Sequence, residues 1–214
     1  MNPYIVYKPA SHRVPDRQYI DLLKSILSNG EWYERTQMDE PCISVFGATL
    51  DFDLANGAPV ITERDIVTRG RKKRRSIFTQ AVGEIIAFIN GAHTQKQLER
   101  FGCFYWKDWV SEAKCRKRGL RIGDLGPGSY GAAWTRFPTS SGIPFNQINA
   151  LVAQIQENPR LKTHEISPWI PQYIWRAFGY KQKVVVVPCH GWVHIVINTG
   201  TGTITSGLIN GQTI

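Results

Sequence analysis

VVVVPCHGWVHIVIN, residues 184–198, is the stretch on which the reading of this chain turns. A run of valines stops at Pro188, presents Cys189 and His190 side by side, and resumes as an apolar strand. Proline cannot donate to a strand ladder and sits at edges and irregularities. The break is therefore either a strand-edge irregularity with a small core cysteine, or a device that presents a thiol to a pocket. Adjacent strand residues point to opposite faces, so His190 reads as structural rather than as a general base, although it could help hold a thiolate, the reactive form.

Working outward, the pattern predicts strands at about 164–167 and 184–197. The Gly/Thr-rich tail NTGTGTITSGLINGQTI adds a turn and one more strand. SIFTQAVGEIIAFIN (76–90) is the strongest helix, apolar nearly all round and so expected to be central and buried. Tyr19 to Leu27 carries helical spacing closed by Asn29-Gly30. CISVFGATLDFDL (42–54) alternates as a strand that bends at Gly47 and stops at Asn56-Gly57. Thr94 to Arg100 continues as a short helix, 103–110 is aromatic-rich, and GDLGPGSY (123–130) is a loop by composition. Asn146 to Glu157 is amphipathic and ends at Asn158-Pro159. There are no repeats, and the fold class is α+β, with helices covering one face of a mixed sheet.

Glu84 interrupts the apolar helix. A carboxylate there must be paired, protonated or facing a wet cavity. Either the helix face is less buried than its composition says, or Glu84 is a general acid/base with a raised pKa. RGRKKRR (69–75) is a solvated loop, an anion-binding flap or a nucleic-acid contact. It lacks the interleaved aromatics of a single-strand binder, so the nucleic-acid reading is not favoured.

The chain has 214 residues, 42% of them hydrophobic, seven tryptophans and a formal charge of +9, which fit one folded domain with an anionic partner. The start has no apolar segment of the signal-peptide kind. No run reaches the roughly 20 apolar residues of a membrane span. Four cysteines without zinc spacing suggest free thiols in a cytoplasmic protein, which makes a catalytic cysteine admissible.

In order, ERT (34–36) with ISVFGATLDFDLANGAPVIT, GEIIAFINGAHT, YWKDW (105–109), GDLGPGSYGAAW, NQI (146–148) and VPCHGW resemble the motifs of the thymidylate synthase family, which includes the phage pyrimidine hydroxymethylases. The resemblance covers about residues 18 to 198. It implies Cys189 as nucleophile, Glu84 as the catalytic carboxylate and Tyr130 as a support for proton abstraction. Arg35 and Lys162 would be phosphate contacts, His190 would lie on the substrate side, and Trp106 and Trp109 would wall the folate. Methylenetetrahydrofolate is the implied cofactor, a pyrimidine deoxynucleotide monophosphate such as dUMP the substrate, and a homodimer packed sheet-to-sheet through strands such as ISVFGATLDF the assembly.

Departures from the family pattern are also visible. Lys162 and Thr163 stand where the family has two arginines, and Ile170 where it has Asn. Asn210-Gly211-Gln212 aligns with its Gln-Arg-Ser phosphate site, and the base-reading Asn and the ribose-binding His-x-Tyr fall beyond Ile214. The expectation is a single domain over 1–214, with a basic insertion at about 67–75 and a short C-terminal part. Three functions stay open: methylation of dUMP, hydroxymethylation of dUMP or dCMP on the same fold, and a non-catalytic binding or assembly role.

Overall fold

The structure is a computed structural model and describes residues 7–14, 16–34, 41–57, 67–69 and 74–210. The chain divides into two compact units, Met1–Asp65 with Gln212–Ile214, and Ile66–Gly211.

In the first unit, helix α1 (Gln18–Asn29) is followed by the antiparallel pair β1 (Glu31–Tyr33) and β2 (Cys42–Ser44). Gly30 ends α1, its N–H bonded to the Ile26 carbonyl at 2.9 Å. Its φ of −75° is ordinary extended backbone. Glycine is needed there for space, because a Cβ would collide with the Ile43 side chain. The strand expected over 42–54 is only three residues long. Beyond it the Gln18 side chain takes both backbone groups of Asp51 (2.5 and 2.8 Å), and Asp53 caps a 3-10 turn at Leu54–Asn56 through the Ala55 N–H (2.9 Å). Side-chain bonds to the backbone, from distant Gln18 and local Asp53, have replaced the ladder.

The second unit opens with the antiparallel pair β3 (Val67–Arg69) and β4 (Arg74–Ser76), which sets Arg69 opposite Arg74 and Thr68 opposite Arg75. The rest of the basic run, 70–73, lies outside the described residues. Then come α2 (Ile77–Ile89), α3 (Gln95–Arg100), α4 (Glu112–Arg116), α5 (Tyr130–Thr135), α6 (Gln147–Glu157), β5 (His164–Ile166), α7 (Pro171–Ile174), β6 (His190–Asn198) and β7 (Thr203–Asn210). Helices α2, α3 and α6 start on capping side chains. Ser76 accepts from the Thr79 N–H (3.4 Å), Thr94 and Gln97 form a reciprocal capping box, and Asn146 accepts from the Asn149 N–H (2.9 Å).

The fold is α+β, but the described strands pair antiparallel in three small sheets rather than one mixed sheet. β6 is the centre of the largest, between β5 and β7. It begins at His190, so the valine run is not strand as expected. Val184 and Val185 are buried all the same. Their backbone is satisfied by loops: the Val185 N–H bonds the Leu125 carbonyl (3.0 Å), and Gln182 Nε2 bonds the Val184 carbonyl (2.7 Å). Pro188 then has no N–H with which to start a ladder.

The core gathers Phe88, Leu98, Trp106, Leu125, Tyr130 and Trp134. Only one face of α2 enters it, through Gln80, Gly83, Ala87 and Phe88. Ile77, Phe78, Val82, Ile85, Ile86 and Ile89 stand 41–46% exposed, so α2 is not enclosed on all sides as its composition suggested. Among the described residues, no helix is long and apolar enough to cross a membrane.

Candidate active site

The buried face of α2 fixes one wall. Gln80 Oε1 accepts the Phe104 N–H at 3.1 Å, and Gly83 lies so close to the Phe101 carbonyl that a Cβ would run into it. One turn of helix thus grips residues 101–106 and carries Glu84 to them. The Glu84 carboxylate accepts hydrogen bonds from the Trp106 indole N–H and the Tyr105 hydroxyl. Burial pushes the Glu84 pKa up, and these two donors pull it partly back. The carboxylate in an apolar helix is therefore hydrogen-bonded and holds a proton more tightly than an exposed one, as general acid/base chemistry needs.

Gly83→Ala tests the grip. Alanine gains roughly 1 kcal/mol of helix propensity over glycine, but overpacking against fixed backbone costs about 1–3 kcal/mol or more. The expected net result is a lower Tm in calorimetry, at about 2–4 °C per kcal/mol for a chain of this size.

The second wall is Tyr130, the first residue of α5, whose ring stacks on Phe88 (centroids 5.1 Å apart, 28° between planes) and meets Trp134 edge-on at 5.6 Å. Its hydroxyl oxygen accepts two backbone N–H groups, from Cys189 (2.5 Å) and His190 (3.0 Å). A phenolic oxygen has two acceptor lone pairs and one proton. Both lone pairs are therefore engaged, and the proton is left to donate. His190 Nδ1 stands 3.0 Å away, and the Cys189 sulfur is the other acceptor in reach. Burial raises the Tyr130 pKa, so the phenol keeps that proton, and burial lowers the His190 pKa, so the imidazole is neutral.

Cys189 is half-buried on the last residue before β6, between buried Pro188 and a bulge at His190–Trp192. The Pro188 carbonyl accepts the Trp169 indole N–H (3.0 Å), and the Gly191 carbonyl accepts from Ser167 Oγ (2.8 Å). Because the backbone is held on both sides of Cys189 where the strand is only beginning and is bulged, Cys189 and His190 can serve the same tyrosine, which regular alternation along a strand would have forbidden. The Cys189 thiol is pushed up by burial, lowered by its hydrogen bond with Tyr130, and raised by the charge of Glu84. Cys189 and Glu84 therefore share one electrostatic environment.

Tyr130→Phe should shift the Cys189 titration further upward, because a thiolate loses its donor. Iodoacetamide alkylation followed by peptide mass mapping across pH reads this directly; an unchanged or lower profile would remove Tyr130 from the role.

Tyr105 and Cys103 were not singled out by sequence. The Cys103 thiol is pushed up to about 11, first by burial and then by the Glu84 charge, and Tyr105 is raised by burial and by its bond to Glu84. The signal was present in the CFYWKDW stretch, where hydroxyl and thiol stand beside Trp106. The two tryptophans part company. Trp106 is buried against Phe88 at 6.0 Å, whereas Trp109 is 45% exposed with the Lys114 ammonium 4.4 Å above its ring. Lys162 is exposed, and its carbonyl accepts from His194 Nε2 at 2.9 Å. Arg35 lies outside the described residues.

Among the described residues, no group of His, Cys, Asp and Glu is arranged to hold a metal ion. The family model described as Thymidylate synthase matches residues 17–209.

Proposed function

Because the chain belongs to the thymidylate synthase family, we propose that it transfers a one-carbon unit to carbon 5 of a pyrimidine deoxynucleotide, dUMP to dTMP, through a covalent bond to Cys189. The observation that carries the reading is that Tyr130 holds the backbone of Cys189 while its ring stacks on Phe88 of the helix that carries Glu84, so three separate stretches of chain converge.

The Cys189 thiolate adds to carbon 6 of the uracil ring, and the displaced electron pair makes carbon 5 an enolate-like nucleophile. Carbon 5 takes up the one-carbon unit and gives up its proton, whose bonding pair releases the carrier from the new methylene group. Addition of hydride, or of water, to that methylene returns an electron pair to the ring, and expulsion of the thiolate from carbon 6 restores the ring double bond. Glu84, whose pKa burial raises, exchanges a proton at the base carbonyl, with Tyr105 and Trp106 fixing its orientation. Tyr130 supports the thiolate with its remaining proton. To accept the proton of carbon 5 it must first give up a main-chain bond.

Methylenetetrahydrofolate supplies the one-carbon unit and, for a methyl product, the hydride. The donor set fits a flat heteroaromatic ring: the aromatic segment 104–109 adjoins Glu84 and ends in the open indole of Trp109. His190 serves the substrate side as a neutral hydrogen-bonding group. Arg35 is assigned to the phosphate, with Lys162 reaching it from the second copy of a homodimer.

Hydroxymethylation is the second reading, and one observation favours it: Trp109 is 45% exposed rather than closed over the site. Water that reaches the activated carbon gives the hydroxymethyl product. Tetrahydrofolate as the released product identifies that outcome, and dihydrofolate identifies methylation.

The test is intact-protein mass after incubation with 5-fluoro-dUMP and methylenetetrahydrofolate. A covalent ternary adduct is expected. No adduct, together with no heat of binding for dUMP, dCMP or CMP, would overturn both enzymatic readings in favour of a binding or assembly role.

A further inference from the structure

Residues 113–214 carry eleven lysines and arginines against three acidic residues, Asp124, Glu157 and Glu165. Much of the imbalance sits in two short stretches. KCRKRGLR (114–121) runs out of α4, and WRAFGYKQK (175–183) follows α7. The two lie within electrostatic reach of one another. Burial, and after it the positive charge of Arg176, holds Arg118 below the usual guanidinium range.

Both arginines are braced. Arg118 donates to the Lys114 carbonyl at 2.9 Å, and Arg176 Nε donates to Gln182 Oε1 at 2.5 Å. Gln182 is buried and anchored in turn on the Val184 carbonyl. Arg118 Nε is buried with no hydrogen-bond partner. No ion pair among the described residues includes either arginine; the one on this face joins Arg116 to Glu112 at 2.6 Å. Like charges within electrostatic reach, with no ion pair to either among the described residues, make a place for an anion.

The same stretch presents aromatic rings to water. Trp175, Phe178 and Tyr180 are 58%, 94% and 59% exposed, and they alternate with Arg176 and precede Lys181 and Lys183. Phe178 has φ 53°, the left-handed region that bulky side chains rarely occupy. The chain accepts backbone strain to hold a ring that buries almost nothing, which points to a use outside the fold.

We infer that this face binds single-stranded nucleic acid, with the cations following the phosphates and the bases stacking on Phe178, Tyr180 and Trp175. A duplex offers the phosphates, but its bases are already stacked, so the exposed rings select the single strand. The Arg69–Arg75 run, cationic without aromatics, lacks that selectivity. The inference goes beyond the proposed nucleotide chemistry and shares no side chain with it.

Fluorescence anisotropy of the full chain with fluorescein-labelled oligo-dT of about 15 nucleotides, at about 50 mM salt, tests it. Binding is expected, with Phe178→Ala weakening it roughly tenfold and leaving the melting curve unchanged. Phe178→Tyr should retain it. Arg176→Gln should flatten the dependence of log affinity on log salt by about 0.7. A labelled duplex of equal length should bind more weakly and ignore the Phe178 change. No binding to oligo-dT or oligo-U, binding indifferent to Phe178, or equal affinity for the duplex and for anionic lipid vesicles would each overturn the inference.

Discussion

Cys189→Ser is expected to fold and melt like the parent chain yet carry out no measurable one-carbon transfer, a loss of at least about a thousandfold on the scale of a removed covalent nucleophile. Position 189 is held by its backbone, since Tyr130 grips the N–H of residue 189 and not only the side chain. Serine therefore keeps the geometry. What it loses is acidity and intrinsic nucleophilicity: the thiol is already raised by burial and by Glu84, and an alcohol in the same place stays protonated throughout the neutral range. The measurement is dihydrofolate formation with dUMP and methylenetetrahydrofolate, alongside disappearance of the fluorinated adduct. A serine variant that keeps about a tenth of the parent rate would mean that another group attacks carbon 6.

Glu84→Gln should lower turnover about 10²–10⁴-fold, the range of a lost general acid/base, while leaving the chain as stable as before or more so at neutral pH. The Glu84 pKa is raised on folding, first by burial. The native state therefore holds the proton more tightly than the unfolded chain, and stability falls as pH rises from the ordinary carboxylate value through the raised one. Above the ordinary carboxylate value, ionising the buried side chain is a net burden. Glutamine still accepts from Trp106 and Tyr105 without the charge. The Tm advantage of the variant should shrink as pH falls and Glu84 takes up its proton. Removing the charge should also move the Cys189 alkylation profile downward, since Glu84 raises that thiol. A variant that is both inactive and strongly destabilised at every pH would show that the residue is structural.

The helices α2, α3 and α6 were legible because their spacing agrees with starts written in single residues: Ser76, Thr94 and Asn146 each place an oxygen where the first turn needs an acceptor; α4, α5 and α7, short and without such a cap, were not. The strands were less legible. Alternation over 42–54 resembles a strand, but Gln18 and Asp53 compete for its backbone, and no local pattern announces a partner so distant in sequence. Four valines in a row have high strand propensity, yet Val184 and Val185 are buried without a ladder. Composition reported burial there, not hydrogen bonding.

In the site, Cys189, Glu84, Tyr130 and Trp106 were recoverable as residue types with a recognisable order. The bond between Tyr130 and the backbone of Cys189 was not, because it depends on a peptide that turns both N–H groups to one oxygen. Tyr105 and Cys103 were overshadowed by the tryptophans beside them.

The saturated hydroxyl of Tyr130 ties two properties to one atom. The oxygen that sets where the sulfur stands is also the oxygen whose proton sets how readily the sulfur ionises. Any replacement at 130 therefore alters aim and acidity together, and no single substitution there can retune one alone. Adjusting the acidity of this thiol without moving it must instead begin on the opposite wall, at Glu84 and its two donors, which reach the thiol through the electric field and not through a bond.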